Sequence, residues 1–240
     1  MAATTAWACH GGEGQRAGKA PPGGSSTSTS AEIASQVAHP FPGLWPFTTQ
    51  AAADAYVRGG DSLFRDPVRT AVEFMRSYGG MAKPVGGEFR PRTGGPGPDS
   101  DGEVDVRPRA DSPFVTTVTV RRAAGDVWMV VAAKARRISL ESPVALDLVS
   151  SPALVSGTSS SFEGNVVVQV KEDGMEPGEF LGQEPLTGGS GEALEPFQGR
   201  VRFKTPAKAA GAVVALTESA EDGSVEQLSA VRVRFERAAT

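Results

Sequence analysis

The sequence has few of the residues from which enzymes most often build an active site. Its 240 residues include one cysteine, Cys9, and two histidines, His10 and His39. A single cysteine excludes an intrachain disulfide and a multi-cysteine metal site. His10 lies in a glycine-rich segment and His39 precedes a proline, so a Ser-His-Asp or Cys-His arrangement would have to be assembled from loosely structured residues. We therefore predict a protein that is not an enzyme and that has no cofactor.

The sequence also lacks long apolar runs and an excess of positive charge. No stretch approaches the roughly 20 apolar residues that a membrane-spanning helix requires. The formal net charge of -4 provides no broad positive field to attract nucleic acid or anionic lipid. We expect no nucleic-acid partner, and contact with a membrane only through a lipid anchor. The 29 glycines and 18 prolines that are present indicate turns and linkers in a β-rich chain.

Cys9 stands ahead of a polar tract in which residues 23–30 are all glycine, serine or threonine. This arrangement resembles the N-terminus of a bacterial lipoprotein, in which cleavage of a signal leaves a lipidated cysteine on a flexible tether. Ala8 is the small residue expected before that cysteine, but the usual leucine is missing and the first eight residues have no charged or apolar region. The alternative is an exposed thiol in the tail of a cytoplasmic protein. We predict that residues 1–45 form a disordered tether with Cys9 as a candidate lipidation site.

Residues 46–137 begin with helical patterns. Asp66 and Pro67 are typical of the start of a helix, and Gly79-Gly80 is typical of its end. Between them, four apolar residues recur at helical spacing: Val68, Ala71, Val72 and Met75. An earlier helix is predicted from about Gln50 to Val57, with a threonine as its cap.

Strand patterns follow these helices at residues 103–107, 115–122 and 127–131. Helices followed by strands predict a small α+β domain in which the helices pack on an antiparallel sheet. The topology is similar to cone-shaped folds of the nuclear-transport-factor-like type, which often hold a ligand. A pocket in this domain would make the protein a small-ligand binder or an enzyme, which is the alternative function.

Residues 138–240 have short strand patterns separated by turns, which predicts an immunoglobulin-like β-sandwich. The predicted strands lie near residues 138–140, 154–157, 166–171, 180–186, 197–203, 212–218 and 231–236. Alternation predicts one buried and one exposed face for each strand, with Lys171 on an exposed face. Four phenylalanines are expected in the core: Phe162, Phe197, Phe203 and Phe235.

Arginines recur at the positions of the sandwich that are predicted to be exposed, namely Arg200, Arg202, Arg232 and Arg234, and two further pairs occur at Arg121-Arg122 and Arg136-Arg137. The favoured interpretation is that these arginines solvate the strands and pair with neighbouring carboxylates such as Glu236. The alternative is a basic surface for anionic envelope polymers or lipid head groups.

The order of short motifs in residues 138–240 resembles a known family. The segments that carry the likeness lie, in order, at 138–143, 150–152, 155–158, 162–164, 166–170, 188–189, 196–197, 201–203 and 218–224. Together they are similar to the immunoglobulin-like domain of bacterial spore germination, one of the GerMN-associated domains. The resemblance implies a secreted or lipid-anchored envelope protein, and it supplies no catalytic residues. The preceding domain differs from the GerMN module that often accompanies this sandwich.

One dense group of carboxylates is a weak candidate for a metal site. It consists of Asp99, Asp101, Glu103 and Asp105, and oxygen-rich loops can hold calcium. The segment lacks the full twelve-residue EF-hand pattern, and a solvated acidic turn is the alternative.

Taken together, the patterns predict an α+β domain followed by an all-β immunoglobulin-like sandwich. The expected function is non-enzymatic binding or scaffolding outside the cytoplasmic membrane. The expected partner is an envelope protein or a cell-wall polymer, which would bind through loops or a strand edge.

Overall fold

Short helices precede the first strand, as the sequence predicts. The computed structural model describes residues 41–92 and 100–236. Helix α1 (Gln50–Gly59) begins after Thr49, whose side chain accepts a hydrogen bond from the Ala52 backbone N–H. It ends at Gly60, where φ is 77° and glycine is favoured. A 3₁₀ turn, Leu63–Arg65, follows.

Helix α2 (Pro67–Glu73) begins after Asp66, whose side chain accepts a hydrogen bond from the Arg69 backbone N–H, so the predicted start is confirmed. The helix then continues as a π-helical turn, Phe74–Tyr78, which the sequence did not indicate. The expected apolar stripe is buried at Ala71 and Met75. Among the described residues, no helix is long and apolar enough to cross a membrane.

Antiparallel strands form most of the described structure. In chain order they are β1 (Val85–Pro91), β2 (Asp101–Arg107), β3 (Thr116–Ala124), β4 (Val127–Ala135), β5 (Ile138–Ser142), β6 (Leu148–Val149), β7 (Ala153–Ser159), β8 (Asn165–Glu172), β9 (Gly182–Thr187), β10 (Glu195–Val201), β11 (Ala210–Glu218) and β12 (Val225–Phe235). A nine-stranded sheet has the order β1-β2-β3-β4-β12-β11-β8-β9, with β6 beside β12. A second sheet has the order β10-β7-β5.

The large sheet continues across the predicted domain boundary at residues 137 and 138. Strand β4 lies before the boundary and pairs with β12 after it, through Ala133 and Ala230. The described residues from both sides of the boundary belong to one compact unit. The predicted fold class is therefore confirmed in part: antiparallel sheet dominates, the sandwich is present, and the α+β character rests on short helices. Sheet pairing links the parts of the chain on the two sides of residue 137. The division into two domains at that residue stays a prediction.

The two larger hydrophobic cores of the described residues lie on opposite faces of the large sheet, and a smaller one surrounds Phe47 and Met129. One of the larger cores fills the space between the two sheets and includes Ile138, Val168, Phe197 and Phe235. Phe203 packs against this core while remaining partly exposed, and the side chain of Phe162 lies outside the described structure. In the other larger core, α2 and the π-helical turn pack against the sheet. Val167 lies in this core and Val168 in the first one, because successive side chains of a strand point to opposite faces. This second core explains why strands of the sandwich are buried on both sides.

We predicted that Lys171 of β8 and Arg232 of β12 face solvent, and this prediction was wrong. Lys171 is 3% exposed and Arg232 is 5% exposed. The Lys171 ammonium donates to the Tyr78 backbone oxygen at 3.1 Å and lies 4.7 Å from the Tyr78 ring centre. Alternation correctly separated the two faces of these strands, but it could not reveal the helical layer that covers the second face.

Candidate functional site

A cavity of about 640 Å³ opens where the two predicted domains meet. We call it the seam pocket. It is lined by Pro108, Arg109, Ser112, Pro113, Val115, Arg137, Ser160, Ser161, Ser190, Gly191, Glu192, Thr217, Ser224, Glu226 and Gln227. Its volume lies within the range that is typical of ligand pockets, roughly 300–1,000 Å³. The predicted alternative placed a pocket inside the α+β domain, whereas this cavity takes its lining from both predicted domains.

Backbone hydrogen bonds hold the segments around the seam pocket together. The Ser160 N–H donates to the Arg137 oxygen at 2.9 Å, and the Ser161 N–H donates to the Gly189 oxygen at 2.9 Å. The Arg137 N–H donates to Gln227 Oε1 at 3.2 Å. The end of β7, the β4–β5 connection, the β9–β10 loop and the start of β12 are thereby fixed relative to one another.

The glycines of the β9–β10 loop allow it to approach β7 closely. A Cβ atom on Gly188 would lie 2.0 Å from Ser159 Oγ, and one on Gly189 would lie 2.6 Å from the Ser159 oxygen. Both distances are shorter than atoms can approach without a shift of the backbone. The glycine-rich segment 188–191, predicted to be a loop, therefore forms a closely packed wall beside the pocket.

Two hydroxyl groups at the seam pocket are buried without a protein partner. Ser161 is 9% exposed and Thr217 is 3% exposed. Neither Ser161 Oγ nor Thr217 Oγ1 has a hydrogen-bond partner among the described residues. Most buried polar groups in folded proteins have at least one partner, so these two hydroxyls are unusual. Both oxygen atoms are shielded behind the wall of the cavity.

Arg137 is held at the pocket by neutral acceptors. Its Nη2 atom donates to Ser160 Oγ, and also to the Gly191 backbone oxygen at 3.1 Å. Ser160 Oγ in turn donates to the same Gly191 oxygen. Among the described residues, no carboxylate lies within 4.0 Å of the Arg137 guanidinium. This cation is therefore oriented but not neutralised by a neighbouring acid.

The other charged groups around the seam pocket are exposed, as Arg137 itself is. Arg109 pairs with Asp111 at 3.4 Å. Hydrogen bonds from Ser224 chiefly lower the pKa of Asp222, and the positive charge of Arg109 adds to that effect. Glu192 and Glu226 are exposed lining residues. The pocket thus combines hydroxyls, one cation without a paired carboxylate and acidic groups.

Of the predicted metal and lipid sites, Asp101, Glu103 and Asp105 fall within the described residues, and none of them lines the seam pocket. Asp99 and Cys9 fall outside the described residues. The Asp101 carboxylate accepts hydrogen bonds from Arg121 Nε and Nη2 at 2.7 and 3.1 Å. Asp105 accepts from Arg90 Nη1 at 2.7 Å and from the Thr117 hydroxyl at 2.6 Å. In the ranges 41–92 and 100–236, no group of three histidines, cysteines or acids is arranged to hold a metal ion. The calcium site stays a prediction.

The predicted basic surfaces are divided among different environments. Arg121 pairs with Asp101, while Arg122 lies over the Trp128 ring at 5.2 Å. Arg232 is buried, and Arg200 lies on β10 of the smaller sheet. The alternative interpretation, one arginine-lined face of the sandwich, is therefore wrong, because Arg232 is buried and Arg200 belongs to the other sheet.

The sequence did not reveal the residues that now stand out. The run Ser159-Ser160-Ser161 was visible, but serine-rich segments are common in loops. Thr217 is more than 50 positions away and carries no local motif. These residues come together only when β7 of the smaller sheet packs near β11 and β12 of the large sheet. No short sequence pattern could specify that arrangement.

The sandwich can be compared with known families now that its strands and pocket are defined. Residues 137–224 match the family model of the immunoglobulin-like domain of bacterial spore germination. The predicted resemblance is therefore confirmed. The matched segment supplies the lining residues from Arg137 to Ser224, while residues 108–115 come from the preceding part of the chain and Glu226 and Gln227 follow the match. No match was found among curated proteins or among solved structures.

Proposed function

We propose that this protein is a non-enzymatic binding or scaffolding protein of the bacterial cell envelope, and that the seam pocket is its binding site. The observation that carries the proposal is the cavity of about 640 Å³, whose lining brings serine hydroxyls, the Arg137 guanidinium and two glutamates together. A ligand with complementary polar groups could form hydrogen bonds with them, which favours a binding role for the pocket.

A binding role is also supported by the type of domain that forms the pocket. The spore-germination-type family is not known to be catalytic. The pocket offers several serine hydroxyls, but a serine nucleophile requires an adjacent base. Both histidines of the chain lie outside the described residues, so none is placed beside Ser160 or Ser161 in the described structure. Recognition by hydrogen bonding is the use of these hydroxyls that we propose.

The proposed location is outside the cytoplasmic membrane, with Cys9 as a lipid anchor. The support is the family resemblance and the polar tract that follows Cys9. Radiolabelled palmitate should be incorporated into the full-length protein in a bacterial host and lost in Cys9→Ser. Equal labelling of both proteins, or labelling of neither, would remove the anchor from the proposal.

The proposed partner is a cell-wall polymer or an envelope protein, and cell walls provide the simpler test. Purified protein is mixed with purified bacterial cell walls, and the fraction that sediments is measured. Ser190→Trp places a large side chain on an exposed lining residue, so we expect apparent affinity to fall by at least about tenfold, which corresponds to roughly 1.4 kcal/mol.

The matched control is Ser62→Trp, because Ser62 is also exposed and does not line the seam pocket. It should sediment as the wild type does. Equal losses in both variants, or full retention of Ser190→Trp, would show that the seam pocket is not the binding site.

A further inference from the structure

The guanidinium of Arg137 has donors to offer beyond those that the protein uses. A guanidinium has five N–H donors. The hydrogen bonds to Ser160 and Gly191 both come from Nη2, and among the described residues neither Nε nor Nη1 has an acceptor. Because the group is already held in place, a ligand would not have to order it. Nε and Nη1 point to different sides of the guanidinium, so each can donate to one oxygen of an anion such as a carboxylate.

The hydroxyls of the seam pocket suit a ligand that carries both donors and acceptors. Those of the lining residues Ser112, Ser190 and Ser224, which are not buried, can each donate one hydrogen bond and accept others. A peptide backbone presents N–H and C=O groups along its length, so it can donate hydrogen bonds to these hydroxyls and also accept hydrogen bonds from them. The apolar side chains of the wall are Pro108, Pro113 and Val115, and the described lining has no aromatic ring on which a sugar could stack.

The acidic groups of the pocket exclude some anions and favour an amine. Glu192 and Glu226 would repel the multiple negative charges of a nucleotide or a polyphosphate. They would attract an ammonium group. Arg109, the other lining arginine, is already paired with Asp111.

We propose that the seam pocket binds a short peptide that ends in a free carboxylate and carries an amine, with Arg137 as the partner of the carboxylate. This inference rests on the proposed function, because it names the ligand class of the same pocket. The mode corresponds to capture of a peptide C-terminus by fixed donors. Glu192 or Glu226 receives the amine, and the hydroxyls of Ser112, Ser190 and Ser224 receive the peptide groups between them.

The test uses the full-length ¹⁵N-labelled protein and the probe N-acetyl-Ala-Lys-Ala with a free C-terminal carboxylate. The matched ligand is the same peptide with a C-terminal amide. We expect saturable shifts of the Ser161, Gly191 and Gln227 backbone amides with the acid, and binding at least about tenfold weaker with the amide, as loss of a charge-assisted pair predicts.

Variants of two adjacent arginines separate a specific contact from general charge. Arg137→Gln should bind the acid and the amide equally, whereas Arg136→Gln should retain the preference for the acid, because Arg136 is exposed and does not line the pocket. Arg137→Lys keeps the charge and should retain part of the preference. Its spectrum also checks that changes at this position leave the fold intact.

Several outcomes would overturn the proposal. They are equal binding of acid and amide by the wild type, equal losses in Arg136→Gln and Arg137→Gln, tighter binding of glucuronate at the same amides, and absence of shifts at millimolar peptide. If any of these occurs while Ser190→Trp still weakens cell-wall binding and Ser62→Trp does not, the peptide inference is wrong and the binding function stands. If the peptide binds but cell walls do not, the pocket assignment stands and the cell-wall partner is wrong.

Discussion

Arg232 and Asp173 form a buried ion pair in which both terminal nitrogens of the guanidinium reach the carboxylate. The Nη1–Oδ1 and Nη2–Oδ2 distances are both 2.8 Å. The side chains are 6% and 17% exposed. Arg232 Nε also donates to the Phe41 backbone oxygen at 3.1 Å. One arginine on the last strand thus fixes both the segment after β8 and the start of the described chain.

Removal of the acid from this pair should strongly destabilise the protein. Asp173→Asn leaves a guanidinium buried without its counter-charge, and breaking such a pair typically costs about 3–5 kcal/mol. The free energy of unfolding in urea measures the effect. Asp111→Asn is the control, because the Asp111 side chain is 82% exposed and its pair with Arg109 contributes little. Similar losses of unfolding free energy in both variants would show that burial does not determine how much the ion pair contributes to stability.

The start of α2 should depend on the Asp66 carboxylate. Asp66 Oδ1 accepts from the Arg69 N–H at 2.8 Å. Asp66→Ala removes this cap and should lower the free energy of unfolding by about 1 kcal/mol, whereas Asp66→Asn keeps an acceptor and should lie close to the wild type. Thermal and urea unfolding measure the difference. The capping account fails if the asparagine variant is as unstable as the alanine variant.

Acid should weaken the protein partly through Asp105. The hydrogen bond from Arg90 is the main cause that lowers the pKa of the Asp105 carboxyl, and the Thr117 hydroxyl adds to it. A carboxyl with a lowered pKa in the fold stabilises it above the unfolded pKa of about 3.9, and this contribution disappears as pH falls through the folded pKa.

The wild type should therefore lose more stability than Asp105→Asn as pH falls from about 5 toward 2, measured by urea unfolding at each pH. Thr117→Val removes one of the hydrogen bonds that lower the pKa, so it should show an intermediate dependence. Identical pH profiles for the wild type and Asp105→Asn would rule out this contribution.

Calcium provides a direct test of the acidic segment. Asp101 and Asp105 each accept hydrogen bonds from an arginine, so a cation would have to displace those contacts. We expect millimolar CaCl₂ to leave Tm unchanged relative to NaCl of equal ionic strength. A rise in Tm that Asp101→Asn abolishes would establish the calcium site that the sequence suggested.

Much of the fold follows from local patterns. The caps at Thr49 and Asp66 and the alternation of β8 each depend on neighbours in the sequence, so the pattern predicted them. Strand β1 was missed because Gly86-Gly87 interrupts it and both are poor strand formers. The structure gives the reason for Gly86: a Cβ there would lie 2.7 Å from Val68 of α2. Glycine at this position lets the helix approach the sheet.

The candidate site could not be predicted in the same way. Arg137 was recognised as part of a basic pair, but its role depends on Ser160 and Gly191, which reach it only after the strands pair. Likewise, Lys171 and Arg232 appeared exposed by alternation alone. Burial on the second face of a strand depends on a helical layer from a distant part of the chain, and periodicity carries no information about that layer.

Hydrogen exchange with mass spectrometry tests the central claim most directly. The amide exchange of the full-length protein is compared with and without soluble fragments of purified cell walls. Ligand binding in the seam pocket predicts slower exchange in residues 108–115, 188–192 and 217–227, and unchanged exchange in β1. Slower exchange confined to other segments, or an unchanged pattern at saturating fragment concentration, would contradict the assignment of the seam pocket as the binding site.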